Sequence, residues 1–314
     1  MAAEARARRL ALRPGLALPA LAFLLMLGAI IAAEPRVASY FGLTVLLGFA
    51  MPAIFAALAQ MAVIAAGDID LGIGPFLSLV NCIAATWLTD RPAAGLAALA
   101  GLVALYAAMG ALIHARALPA IVVTLGASFV WLGLAILVLP TPGGAAPAWL
   151  AAVAAWRPPL LPLPLLVGLL AGAAAEWLLM RGAYGVVLRG IGGNPRAVAR
   201  GGWSLLRARM SLYAAAGLAG VLGGLALTGL DTSGDATVGG QYTLVSIAAV
   251  IVGGGEFTGG VVSPAGAVLG AFIMLLTGSL LSFLDVSTDW QLSAQGGILI
   301  LVLAARALRR RGRA

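Results

Sequence analysis

Two carboxylates stand where carboxylates are costly. The stretch Ala65-Ala66-Gly67-Asp68-Ile69-Asp70-Leu71-Gly72-Ile73-Gly74-Pro75 sets Asp68 and Asp70 between two long apolar runs. Two readings stand. In one, Asp68 or Asp70 lines a gate or conduction path, because a charge at membrane depth faces a protein interior or a water-filled cavity. In the other, both cap the next helix, where a carboxylate meets free N–H groups and the positive dipole end; this suits Asp70 best. A third acid lies in Val252-Gly253-Gly254-Gly255-Glu256-Phe257-Thr258-Gly259-Gly260. Three glycines in a row permit a sharp turn or close helix contact. Gly254, Gly255 and Glu256 therefore join the path or gate candidates, with Glu256 pairing to an Arg or capping a helix. The segment is no phosphate loop: Gly-x-x-x-x-Gly-Lys is missing, and the chain has no Lys.

A different chemistry is written in Gly192-Gly193-Asn194-Pro195-Arg196-Ala197-Val198-Ala199-Arg200. Asn194 reads as an N-cap with Pro195 in the first turn. The short helix it starts carries Arg196 and Arg200 four apart, on one face. It is either a docking element for a cytosolic partner or an ordinary basic loop. Trp203 either packs on that partner or anchors the next span at the lipid interface. The run Asp231–Tyr242, rich in small polar residues, lines an outer mouth or is a plain turn. His114 stands alone as His and Cys82 alone as Cys, so no zinc cluster and no intrachain disulfide is expected. No set of nucleophile, base and orienting group suggests an enzyme.

The elements that must position these residues are membrane helices. Of 314 residues, 62% are apolar and 10% charged, against about 45–50% and about 25% in soluble domains. A soluble fold of this size could not cover so much apolar side chain. Charge and Pro/Gly punctuation predicts about ten spans: 16–33, 41–66, 71–88, 93–113, 118–139, 160–180, 210–230, a shorter one at 244–252, 265–284 and 292–305. The alternative is eight spans plus re-entrant segments. The first run is long for a cleaved signal sequence, and more spans follow it, so it reads as a transmembrane helix. With the N-terminus inside, sixteen of the nineteen Arg residues fall inside and only Arg36, Arg91 and Arg157 outside. That predicts an all-α polytopic transmembrane bundle with both termini in the cytosol. Basic tails at 1–15 and 306–314 would flank a transmembrane domain at 16–305, with a polar cytosolic connector at 181–209. The scattered Arg residues, net charge +8, make no basic groove, so no nucleic-acid partner is expected.

A weak echo runs through the chain. Ala62-Val63-Ile64 before Gly67 matches Ala249-Val250-Ile251 before Gly254, and Gly72 matches Gly259. It suggests duplicated halves related by an axis along the membrane normal.

Four segments carry a family resemblance. Gly67–Gly74 resembles the Gly-Ile-Asp-Leu-Ser-Val-Gly element of ribose-type (monosaccharide) permease subunits of bacterial ABC importers. Leu118–Gly126 is similar to their Pro-x-Phe-Ile-x-Thr-Leu-Gly element. Gly192-Gly193-Asn194 matches their cytosolic Gly-Gly-Asn, and Ile247–Gly254 their Ala-Ile-Ala-Ala-Val-Val-Leu-Gly-Gly. Order and spacing fit from about residue 40 to 305. The resemblance implies a bacterial inner-membrane subunit working with a second permease copy or paralogue. It implies a cytosolic ATPase dimer that binds ATP and Mg2+, leaving this chain without a cofactor, and an external (periplasmic) binding protein that delivers a small polar solute. Docking onto the ATPase falls on Asn194, Pro195, Arg196, Val198, Arg200 and Trp203. A monosaccharide is the first expectation for the solute, with a nucleoside or branched-chain amino acid behind it. A proton-coupled secondary transporter and a non-transporting scaffold or receptor are the rivals. The chain departs from the pattern where Asp68 replaces a usual Gly, Arg196 a usual acid, and Thr243 and Val245 two acids.

Overall fold

A computed structural model describes residues 14–287 together with Trp290, Ser293, Gly296, Gly297 and Ile300. The tails, apart from the last residues before the first span, and most of the expected tenth span lie outside the described residues.

Helix after helix follows from uninterrupted apolar sequence. The first, α1 (Pro14–Ala33), ends at Glu34-Pro35. The second apolar stretch is two helices, α2 (Tyr40–Leu47) and α3 (Ala50–Ala65), bent by 48°. Pro52 explains the bend, because its ring excludes the carbonyl four residues back, at Gly48. Next come α4 (Ile73–Ala85), α5 (Pro92–Arg116), α6 (Ala120–Val138) and α7 (Ala148–Ala155). Helix α8 (Leu163–Ala175) runs on through a π-helical turn, Glu176–Met180. Then follow α9 (Gly182–Gly193), α10 (Pro195–Arg200), α11 (Leu205–Asp231), α12 (Tyr242–Val252) and α13 (Pro264–Phe283).

Among the described residues, six helices are long and apolar enough to cross a membrane, and seven if α2 and α3 make one bent span. This corrects the expectation of ten spans of about twenty residues. Helices α4 and α12 have 13 and 11 residues, about 20 and 17 Å at 1.5 Å per residue, well short of a hydrocarbon core of about 30 Å. The expected span at 71–88 is therefore a short helix with nearly every residue buried, and the span expected to be short at 244–252 is short, as α12.

The core is layered by exposure. Helices α3 and α4 are buried almost throughout, and α11 packs across α3, α4 and α5. Its Gly217, Gly220 and Gly224 admit Tyr106, Phe76 and Val80 where a Cβ would collide. Around this centre, α1, α6 and α8 turn large apolar side chains outward, such as Leu25, Phe129, Leu137 and Leu169. A water-facing surface would not carry such a belt; a lipid-facing one requires it. The protein is an all-α, multi-pass membrane bundle.

The connector at 181–209 is not a loop. Helix α9 fills its first half and buries Gly185, Val187, Leu188 and Ile191. Leu188 and Ile191, and Val187 and Ile191, lie at helical spacing, but the surrounding Arg and Gly residues mask that face in the sequence.

Candidate functional site

Helix α3 stops where its backbone turns left-handed at Gly67, φ +82°, and residues 66–72 form a break before α4. Both carboxylates of the break are buried, Asp68 being 9% and Asp70 1% exposed. Each is fully engaged. Asp68 Oδ1 accepts from Arg209 Nη2 at 3.1 Å, and Oδ2 accepts from the Tyr213 hydroxyl at 3.0 Å. Both partners come from the first turns of α11. Asp70 Oδ2 accepts from the Tyr106 hydroxyl of α5 at 2.9 Å, and Oδ1 accepts from the Gly72 N–H at 2.7 Å. Thus Asp70 closes the turn that leads into α4, while Gly72, the N-cap residue, makes no side-chain cap. Asp68 caps nothing; it is one half of a buried ion pair.

The break's backbone is satisfied too. Thr124 of α6 donates to the Ile69 carbonyl at 3.1 Å and accepts from the Leu71 N–H at 3.1 Å. With the Gln60 amide oriented to suit, its nitrogen donates to the Asp70 carbonyl at 3.0 Å and its oxygen accepts from the Asp70 N–H at 3.1 Å. Aromatic rings wall the site: Tyr106 lies edge-on to Phe76 at 4.5 Å between centroids and stacks on Trp131 at 6.1 Å. Orphaned polar groups are expensive away from water, and this net leaves almost none at the break. None of Gln60, Tyr106, Thr124, Arg209 and Tyr213 was singled out as a site residue by the sequence. Their bonds to the carboxylates span 36, 141 and 145 residues, and no local pattern announces such pairs.

The second break lies between α12 and α13, at 253–263. Gly254 is left-handed at φ +104°, as are Gly259 and Gly260 at +81° and +76°. Helices α3 and α12 end at Ala65 and Val252, matching the offset of the echo, and Gly67 and Gly254 both have positive φ. Gly72 and Gly259 differ, the former at φ −97°. Backbone bonds tie this loop: Gly255 N–H to the Val250 carbonyl at 2.8 Å, Glu256 N–H to the Val261 carbonyl at 3.0 Å, Gly259 N–H to the Glu256 carbonyl at 3.1 Å. Glu256 accepts from Thr258 at 3.5 Å, within its own turn.

The two breaks and α9 meet. Gly260 N–H donates to the Ala65 carbonyl at 3.2 Å. A Cβ on Gly259 would lie 2.8 Å from the Cα atoms of both Gly67 and Gly192. One on Gly192 would overlap the Ala65 carbonyl oxygen and stand 2.7 Å from the Gly260 nitrogen. Three backbones thus touch at a point where no side chain fits.

Helix α10 hangs from this junction. Asn194 accepts from the Ala197 N–H at 3.1 Å with Pro195 in the first turn. Nothing in α10 is buried. Val198 leans back on α9, where a Cβ at Gly190 would meet it at 2.6 Å. Trp203 is 44% exposed and tilts against Tyr184 of α9, centroids 6.0 Å apart. Arg196 and Arg200 are exposed. Arg189, in contrast, is used internally, donating to the Met180 carbonyl at 2.8 Å.

At the far end of α4, Asn81 donates to Thr228 at 2.9 Å and to the Ser233 carbonyl at 3.0 Å, and accepts from the Asp235 N–H at 2.8 Å. Ser78 accepts from the Gly239 N–H at 2.8 Å. The 231–241 run is thereby pinned to the core and is no free turn. Among the described residues, no group of three or more His, Cys, Asp or Glu side chains is placed to hold a metal ion.

Short buried helices, interrupted at polar breaks inside a lipid-facing bundle, define a multi-pass membrane protein with discontinuous helices. The chain belongs to the family described as branched-chain amino acid transport system / permease component, which matches residues 42–303. It is 36% identical to the xylose transport system permease protein XylH of Escherichia coli (strain K12) over 143 residues, 46% of this chain and 36% of that protein. It is 33% identical to the galactose/methyl galactoside import permease protein MglC of Salmonella typhimurium over 141 residues, 45% of this chain and 42% of that one. With the ribose import permease protein RbsC of Bacillus subtilis the figures are 32% over 143 residues, 46% and 44%. Each match spans less than half the length of the relative. No solved structure gives a significant match.

Proposed function

We propose that this chain is the membrane subunit of an ATP-driven importer in the bacterial inner membrane. It passes a small polar solute, a monosaccharide in the first instance, received from an external binding protein. The observation that carries the reading is the family match across 42–303, joined by relatives named for xylose, galactose and ribose. The family's own description names branched-chain amino acids, which keeps that solute class as the second reading. ATP and Mg2+ belong to a separate cytosolic ATPase dimer, and a second permease copy or paralogue completes the path.

An arrangement with both termini in the cytosol is part of this proposal. The sixteen-to-three Arg split supports it. In it, α4 and α12 are short passes buried by their neighbours, so they need not match the lipid thickness. The 66–72 and 253–263 breaks, α9 and α10 then face the cytosol. Docking onto the ATPase falls on Asn194, Pro195, Arg196, Val198, Arg200 and Trp203, and the exposure of α10 supports it. Val198 serves by stiffening α10 against α9, and Trp203 and the Arg pair by contact. Asp68, Asp70, Gly254, Gly255 and Glu256 line or shape the path, with conformational switching between outward-open and inward-open states.

Uptake in the native host separates this from a proton-coupled carrier. Deleting the cognate ATPase gene should abolish uptake that depends on this chain. Uptake that survives the deletion and collapses with an uncoupler contradicts the proposal. A ligand screen of the cognate binding protein then decides the solute: tight binding of leucine and of no sugar would remove the monosaccharide assignment.

A further inference from the structure

Helix α10 is bracketed. Just before it, α9 ends at Gly193, and the backbone of Gly192 is pressed on Ala65 and on Gly259-Gly260. A few residues after it, α11 begins, and its Arg209 and Tyr213 hold Asp68. The first attachment reaches Ala65, at the edge of the 66–72 break, and the second reaches Asp68 inside it. One is steric, because no Cβ fits at Gly192. The other is ionic, with the Arg209 side chain 23% and the Asp68 side chain 10% exposed. Between them, Gly201 and Gly202, the latter at φ +80°, turn the chain from α10 towards α11.

The break is itself wired inward. Asp70, two residues from Asp68, is bonded to Tyr106 of α5, and Thr124 of α6 holds the intervening backbone. A displacement entering at Asp68 therefore meets α4, α5 and α6 within one turn of chain.

We propose that Asp68, Arg209 and Tyr213 are positioning residues of the transport cycle. They convert a shift of residues 194–203 into a shift of the break before α4, with Gly192 as the second attachment. The inference rests on the permease reading above and adds a residue-level linkage to it. Arg209 has a part beyond topology: it is the cation that holds Asp68 in place.

The test uses the whole transporter, copurified through a tag on this chain and reconstituted into liposomes. Solute uptake and ATP hydrolysis are read together. The probes are radiolabelled xylose, ribose, galactose, a nucleoside and leucine. Asp68→Asn and Arg209→Gln should each cut uptake tenfold or more while ATP hydrolysis stays within twofold of the wild type, so that ATP spent per solute rises. Arg209→Lys should recover a large part of the coupling. Where Asp68→Asn or Arg209→Gln fails to accumulate in the membrane, Tyr213→Phe, which removes one bond and no charge, should still raise the ATP-to-solute ratio severalfold. A purely structural role would lower uptake and hydrolysis together and leave their ratio unchanged, and that result overturns the inference. A wild-type transporter that moves none of the probes removes the permease reading and this inference with it. Wild-type transport with an unchanged ratio in all the variants removes the inference alone.

Discussion

The two breaks start alike and are held differently. Each follows a buried helix ending at an equivalent point of the echo, and each turns on a left-handed glycine. After that, the 66–72 break is fastened by side chains reaching in from α3, α5, α6 and α11. The 253–263 break is fastened by its own amides and by glycines too crowded for a Cβ. The difference teaches where specificity of shape resides. Polar side chains inside a membrane bundle are costly unless fully paired, so a break that uses them is committed to one set of neighbours. A glycine break costs no buried polar group and draws its fit from close backbone approach instead.

The contrast is broken most severely by adding a single carbon to the second region. Gly259→Ala puts a Cβ against Gly67 and Gly192 at a φ of +81°. Backbone strain and overpacking together should cost about 2–5 kcal/mol. Thermal unfolding of the purified chain in detergent should show it as a large fall in Tm, or as loss of folded protein. Gly193→Ala, one residue from the junction with nothing near its Cβ, should leave Tm almost unchanged.

Next in size is Asp70→Ala. It strands the Tyr106 hydroxyl and the Gly72 N–H, both buried donors, at about 1–3 kcal/mol each before relaxation. The same measurement should place it close behind Gly259→Ala. Thr124→Val is milder, losing one acceptor and one donor at the break's backbone, about 1–2 kcal/mol. Thr258→Ala removes an exposed 3.5 Å contact of the second break and should fall within about 0.5 kcal/mol of the wild type. If Thr258→Ala proved as damaging as Thr124→Val, the two breaks would not differ in the way described.

Much of the bundle was readable because lipid-facing helices announce themselves. The expected 93–113, 118–139 and 265–284 spans correspond to α5, α6 and α13 within a few residues. The apolar code loses its meaning in the interior, where α4 and α12 are covered by protein and need no full lipid-spanning length. There the span expected at 71–88 is a helix of only 13 residues, and among the described residues six or seven helices are long and apolar enough to cross a membrane. Asp68 and Asp70 stood out because charge in an apolar run is conspicuous. Their partners did not, since Tyr106 and Tyr213 look like ordinary interior aromatics and Arg209 like one more interfacial Arg. Helix α9 was hidden by its Arg and Gly content, although its buried face is helically spaced.

The convergence of the two breaks with the end of α9 is the feature on which the account depends, and a proximity cross-link reads it directly. Gly193 and Thr258 are both exposed beside the junction. In a Cys82→Ala background, a Gly193→Cys, Thr258→Cys chain in membranes is treated with a short bifunctional thiol reagent. The linked peptides are then sought by mass spectrometry. Efficient cross-linking of 193 to 258 within one chain is the expected result. Full labelling of both cysteines as separate, unlinked sites would contradict it.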